Sequence, residues 1–166
     1  MYIIRQAAEH DISHLQAMQR EGWEQDYVGY MPESYASVAL QRYGTTEAIA
    51  RAIANYRYYF VCEQAGERLG CVAADHTSDS EAELYWIHVA QRHRGRGLGR
   101  DLVEYLASSL EPSITTLFVT TFQNYMPTLA FYQALGFTEH DKKITDYDGV
   151  AVNDIKLKRT LSRENI

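Results

Sequence analysis

The sequence predicts one mixed α/β (α+β) domain over residues 1–166, and three observations carry that prediction. The chain has 166 residues, about one domain's worth at ~100–200 residues per domain. It is 46% hydrophobic and 12% aromatic, enough apolar material to bury roughly 70% of the surface an unfolded chain of this size exposes. Its hydrophobic period also switches repeatedly between helical and strand spacing, in the order β, α, α, three strands, α, β, α, β, β. That order calls for a single mixed sheet with helices packed on its faces.

Each element follows from local chemistry. Tyr2 to Gln6 reads as a short strand, and Asp11 stands where it can cap a helix carrying Ile12, Leu15, Met18 and Trp23 at roughly helical spacing. Residues 22–45 are aromatic and polar, with Tyr27, Tyr30, Tyr35 and Tyr43, a break at Pro32 and a short helix over Glu33 to Arg42. Thr46 is expected to cap the next helix, through Ala48, Ile49, Ala52 and Ile53. The β-formers of Tyr56 to Cys62, a turn at Gly66 and the return over Leu69 to Ala74 form a hairpin. Ala82 to Val89 is a third strand that runs directly into a basic glycine-rich loop. A helix with Leu98, Leu102, Val103, Leu106 and Leu110 follows, then a strand over Thr115 to Thr121. Residues 127–135 form a helix opened by Pro127 and stopped by Gly136. Two strands, about Phe137 to Ile144 and Val150 to Leu157, close the chain.

Composition narrows the function classes. No apolar run approaches the ~18 residues needed to span a bilayer, and the first six residues lack the pattern of a secretory signal, so a soluble cytoplasmic protein without a membrane partner is expected. Cys62 and Cys71 are the only cysteines, too few for a disulfide framework and without metal-site spacing. They are expected to be buried and reduced, facing each other across the hairpin if it closes symmetrically. Sixteen basic against 22 acidic residues give a net charge of −6, which argues against a nucleic-acid binder. The basic charge is concentrated: residues 91–100 hold four arginines and no acid. One positive loop in an acidic protein suits a small polyanion, and the acidic remainder favours a cationic or neutral second substrate.

The loop itself, Arg94-Gly95-Arg96-Gly97-Leu98-Gly99-Arg100, lies between a strand and a helix. Glycines there let backbone approach a ligand, and the first N–H groups of the helix are unpaired, a combination that binds phosphate. A dinucleotide fingerprint would need glycine where Arg100 stands, and a P-loop would need a terminal Gly-Lys-Ser/Thr. The stretch resembles motif A of the GNAT superfamily of acyl-CoA N-acetyltransferases, Gln/Arg-x-x-Gly-x-Gly/Ala. Asn124 followed by Phe131-Tyr132-Gln133-Ala134-Leu135-Gly136-Phe137 is similar to that family's motif B, about 30 residues further on and in the right order. Asn124 lies eight residues before Tyr132, where many members have seven.

The resemblance implies a GNAT-like domain with a mixed, mostly antiparallel sheet and acetyl-CoA as cosubstrate. It implies that Arg94 to Arg100 hold the pyrophosphate, that backbone around Ile87, His88 and Val89 pairs with the pantetheine arm in a V-shaped opening between parallel strands, and that Asn124 touches the cofactor. Tyr132 matches the family's general-acid tyrosine. Glu83, 11 residues before Arg94, has a spacing similar to that of a catalytic glutamate, and strand alternation puts Glu83, Tyr85 and Ile87 on one face. His88 is a third candidate base by its chemistry, against a structural role as a hydrogen-bonded strand histidine. A proton relay through water is the remaining alternative. The oxyanion would be met by backbone N–H of a bulged strand near Ile87 or Val89. The acceptor implied is a primary amine of a small molecule, selected by about Trp23 to Asn55 and the 144–150 loop. Protein lysine or N-terminal acetylation and a non-catalytic acyl-CoA-binding sensor are the competing readings, and family habit allows a homodimer.

Overall fold

A computed structural model describes residues 1–147 and 149–163. Asp148, in the loop expected to help select the acceptor, lies outside the described residues. Seven strands form one sheet: β1 (Ile3–Gln6), β2 (Tyr58–Gln64), β3 (Glu67–His76), β4 (Glu81–Val89), β5 (Thr116–Phe122), β6 (Thr138–Tyr147) and β7 (Val150–Thr160). The spatial order is β1-β2-β3-β4-β5-β7-β6, antiparallel throughout except at β4–β5. The helices are α1 (Ile12–Glu21), α2 (Glu33–Tyr43), α3 (Thr46–Asn55), α4 (Leu98–Ser109) and α5 (Met126–Ala134). The one parallel pair requires a crossover, which α4 supplies.

The helices divide between the two faces. Leu98, Leu102, Val103 and Leu106 of α4 and Leu129 and Tyr132 of α5 pack with Val72, Leu84, Leu117 and Val119 on one face. Ile12, Leu15 and Met18 of α1 and Ile49 of α3 pack with Tyr59, Val61, Cys71 and Ala73 on the other. A third, aromatic cluster of Trp23, Met31, Tyr35, Ala39 and Val152 extends that second face beneath α2.

Four local expectations are corrected by tertiary contacts. Asp11 does not cap α1 with its side chain; the carboxylate turns back to accept from Ala8 N–H and from Arg5 and Arg68, a network made across the sheet edge. Thr45, one residue earlier than expected, caps α3 by accepting from Ala48 N–H at 3.1 Å. Cys62 and Cys71 are buried but do not face each other, because the hairpin register pairs Cys62 with Gly70 and Val61 with Cys71. The thiols therefore sit on opposite faces of the sheet, where burial pushes their pKa values up to about 11 and about 12. Finally, Glu83, Tyr85 and Ile87 do not share a face. Ala73 pairs with Trp86 and Ala74 with Leu84, so Tyr85 is an extra residue in β4 and the bulge reverses the alternation beyond it. Glu83, Trp86 and His88 point to the α1 face, and Leu84, Ile87 and Val89 to the α4 face.

Candidate active site

The bulge at Tyr85 opens the sheet. The β4–β5 ladder runs only from Glu81 opposite Thr116 to Leu84 opposite Val119, and no pairing continues past it. Beyond that point the strands splay into a V, leaving backbone of Ile87–Val89 on one arm and Thr120–Thr121 on the other without a partner between them. The bulge lies two residues earlier than the Ile87–Val89 position expected for it.

On the α4 side the V widens into a cleft of about 470 Å³, lined by Ile87, His88, Val89, Arg94, Gly95, Gly97, Leu98, Gly99, Arg100 and, across the gap, Tyr125, Thr128, Phe131 and Tyr132. Gly97 stands at the N-cap of α4 with φ +82° and Gly95 has φ +76°, the left-handed region that favours glycine. Gly99 is required for another reason: a Cβ there would lie 3.0 Å from the Phe131 ring, so its absence lets α4 approach α5 across the cleft. No side chain caps α4, so its first N–H groups open toward the cleft.

Coenzyme A fits this arrangement. Uncapped helix amides and the helix dipole suit a pyrophosphate, and the edge of Ile87–Val89 that pairs with β3 on one side and has no β5 partner on the other suits an amide-bearing arm, the Val89 carbonyl excepted. Gly97→Ala is expected to weaken acetyl-CoA binding about tenfold, because a left-handed non-glycine residue costs roughly 1–2 kcal/mol and moves the first turn of α4. Isothermal titration checks this; an unchanged Kd would remove the glycine loop from the cofactor site.

The arginines of the loop are not equivalent. Arg94 lines the cleft, but its guanidinium is committed: it forks onto Asp26 at 2.9 and 2.7 Å and donates to Val89 C=O at 2.8 Å. Burial works to raise the Asp26 pKa, yet hydrogen bonds from Arg94 and Gln91 outweigh it and hold the carboxyl below its usual range. Arg96 and Arg100 are exposed, and no ion pair among the described residues engages them. Their charges are the ones free for an anion. Asn124 is exposed in the turn before α5 and does not line the cleft; Tyr125 takes the wall instead.

His88 is held as a structural residue would be. Its Nε2 lies 3.0 Å from Glu21 Oε1, its ring stacks on Trp86, and burial lowers its pKa despite Glu21. Glu21, Asp26 and His88 come close enough to hold an ion, but Arg94 already sits 2.7 Å from Asp26 and 3.7 Å from Glu21 and supplies the cation. Glu21 precedes, and Asp26 ends, a single π-helical turn, Gly22–Asp26, that interrupts the expected run of helix to Trp23. Gly22 makes the turn fit, since a Cβ there would be 2.9 Å from the Trp86 ring.

A second cavity of about 630 Å³ opens on the other face of the sheet. Trp23, Tyr27, Tyr35, Tyr43, Tyr56 and Tyr147 supply aromatic walls, and Glu83 and Asp154 supply carboxylates. Glu83 Oε1 accepts from Thr120 Oγ1 at 3.2 Å. Tyr132 is buried on the cofactor side, its ring edge-on to Phe131 and Phe137 at 5.1 and 5.4 Å, and burial drives its phenol pKa far above 10. The two cavities share Tyr27, Tyr85, Trp86, Thr120 and Thr121 as walls, so they meet at the V where the strands part. The sequence pattern singles out neither Thr120 and Asp154 nor the Glu21–Asp26 clamp; Tyr27 falls within the aromatic stretch of residues 22–45 that it does mark.

Comparison with known proteins bears on the family and the fold. The acetyltransferase (GNAT) domain family matches residues 55–139. An uncharacterized N-acetyltransferase of Chlorobaculum tepidum is 27% identical over 117 residues, 70% of each chain. The ribosomal protein bS18-alanine N-acetyltransferase of Salmonella typhimurium is 33% identical over 84 residues, 50% of this chain and 57% of that protein. Among solved structures, the PaiA N-acetyltransferase of Thermoplasma acidophilum in complex with coenzyme A superposes with a TM-score of 0.79 at 17% identity, covering 96% of this chain and 99% of that one. The ribosomal-protein-S18-alanine N-acetyltransferase of Escherichia coli gives 0.73 at 20% identity, covering 99% and 97%. At these identities the structural likeness speaks for the fold.

Proposed function

The chain belongs to the GNAT acetyltransferase family, enzymes whose cosubstrate is acetyl-CoA, and from that premise we propose that it acetylates the primary amine of a small molecule held in the aromatic cavity. The observation that carries this reading is the junction of the two cavities at the β4–β5 split, which gives an acceptor on the α1 face access to a thioester on the α4 face. A cavity of about 630 Å³ is in the range of ~300–1,000 Å³ typical of small-molecule sites.

Acetyl-CoA supplies an electrophilic thioester carbon and a sulfur that leaves. The chain's residues supply the proton traffic. Glu83, on the acceptor side and oriented by Thr120, takes the proton of the incoming amine, directly or through water. Tyr132, kept protonated by burial, gives its proton to the departing sulfur. The N–H groups of the bulged strand meet the developing oxyanion. Leu98 to Arg100 hold the phosphates with their amides, and Arg96 and Arg100 add charge.

A second reading, acetylation of a protein N-terminus, is favoured by the 33% identity to a ribosomal-protein alanine acetyltransferase. One experiment separates the two: thiol release from acetyl-CoA against a panel of small amines and of N-terminal and lysine peptides. Turnover on small amines at least 10-fold above every peptide is the expected result. Turnover on peptides alone would replace the proposal with the second reading, and acetyl-CoA binding with no turnover would favour a sensor.

A further inference from the structure

Resting on the small-molecule reading, we propose that Asp154, with Thr145, is the specificity determinant of the acceptor cavity and selects a diamine, binding the ammonium group that is not acetylated.

Asp154 is 2% exposed and lines the cavity. Its Oδ2 accepts from Tyr147 OH at 2.6 Å, but no described group donates to its Oδ1, and none of the described cations forms an ion pair with it. The Oγ1 of Thr145, on the same cavity wall, is likewise buried and without a partner. In β6–β7 register, Thr145 pairs with Val152 and Lys143 with Asp154, so Thr145 and Asp154 are diagonal neighbours on one face. Both residues line the same space from adjacent strands, and their orphaned oxygens, closed to solvent as they stand, reach it by a small turn of each side chain.

Buried polar atoms without partners are rare, because each carries an unrelieved desolvation cost, and a buried carboxylate lacking a cation is the most unfavourable case. A ligand that donates to both oxygens removes the cost. An ammonium has three donors and a positive charge, so one group can serve Asp154 Oδ1 and Thr145 Oγ1 together; a hydroxyl has a single donor. Arg42, Arg51 and Lys143 also line the cavity, but all three are exposed at its rim, where solvent and salt screen them.

The topology also sets the spacing. Asp154 pairs with Phe122 of β5, and Thr120, whose hydroxyl touches Glu83, is two residues back along the same strand. Two residues at ~3.3 Å and one strand spacing of ~4.8 Å separate Thr120 from Asp154 by roughly 8 Å. The reacting amine beside Glu83 and the second ammonium beside Asp154 would then stand a short aliphatic chain apart.

The test compares kcat/KM for α,ω-diamines with two to six methylenes against the n-alkylamines and amino alcohols of equal length. The expected result is a preference for the best diamine of about 10²-fold or more over its monoamine, as found where a missing group leaves buried polar atoms unpaired. Asp154→Asn should bring that ratio below about 5, chiefly by raising the diamine KM, and Thr145→Val should lower it several-fold in a side chain of the same shape. Diamine protection in thermal denaturation gives a second readout: a rise in Tm for the native protein that is lost in both variants. Equal turnover of monoamine and diamine overturns the selection of a diamine while leaving the small-molecule reading intact. A diamine preference that survives both substitutions overturns the role of Asp154 and Thr145. Turnover on peptides alone, with no Tm response to diamines, removes both.

Discussion

Tyr132→Phe is expected to lower kcat about 10²–10⁴-fold, the usual contribution of a positioned proton donor, with little change in the KM for acetyl-CoA. The substitution removes one oxygen and keeps the ring, so the edge-on contacts to Phe131 and Phe137 that fix α5 against the sheet persist. Burial raises the pKa of this phenol, and the neighbouring Tyr27 adds to the shift. A donor must be protonated, and a raised pKa extends the protonated range upward. The alkaline limb of the pH–rate profile should therefore show no loss attributable to Tyr132 below about pH 10, the ordinary phenol value. If the tyrosine were only a core residue, Tyr132→Phe would leave kcat within about twofold, and that outcome would return the donor's role to water. Rapid-quench measurement of the chemical step distinguishes a lost donor from slowed product release.

How much of this site is readable in the chain depends on whether its geometry is periodic. The helix of Leu98, Leu102, Val103 and Leu106 and the strand around Thr116–Phe122 follow from spacing alone, and both arms of the cofactor cleft come with them. The motif residues Gly97, Gly99 and Tyr132 line that cleft. The bulge is different. Tyr85 has nothing in its side chain to mark it as the unpaired residue, and a single insertion reverses the face of everything beyond it, so strict alternation put Glu83 with Ile87 when the fold puts it with Trp86 and His88. The hairpin cysteines show the same effect from an irregularity at Cys62/Glu63. The acceptor cavity escapes for another reason: its wall joins the π turn, α2, α3, β4, β5, β6 and β7, and the convergence of segments more than a hundred residues apart is a tertiary fact. Asp154 reads along the chain as a polar residue in a strand; only burial and the orphaned Oδ1 single it out.

Asp11→Ala is expected to cost about 3–5 kcal/mol of stability, the penalty for removing one partner of a buried ion network. For a chain of this size that is a fall in Tm of roughly 6–20 °C. The carboxylate is fully buried and accepts from both terminal nitrogens of Arg5, at 2.8 and 3.0 Å, from Arg68 Nε at 2.8 Å and from Ala8 N–H at 2.8 Å. Glu63 accepts from Arg5 at 2.7 Å, so the cluster ties β1, the entry to α1 and the β2–β3 hairpin together at one edge of the sheet. Deleting the carboxylate leaves two guanidinium groups with Glu63 alone in a space built for four charges and opens a backbone donor. Burial by itself would raise the Asp11 pKa, but the hydrogen bonds from Arg5, Ala8 and Arg68 overcome it and hold the carboxyl well below the usual carboxylate range. A depressed folded-state pKa means the stabilisation is fully present above the unfolded value of ~3.9 and is lost as pH falls below it. Urea denaturation at pH 7 and at successive steps below pH 4 should thus show the native protein and Asp11→Ala converging in acid. Asp11→Asn, which keeps one acceptor but no charge, should fall between them at pH 7. Asp11 borders neither cavity, so acetyl-CoA affinity measured well below the Tm should not move. A stability loss under 1 kcal/mol at pH 7 would mean that Arg5 and Arg68 swing into solvent once released, and that the edge of the sheet is held by its β1–β2 ladder alone.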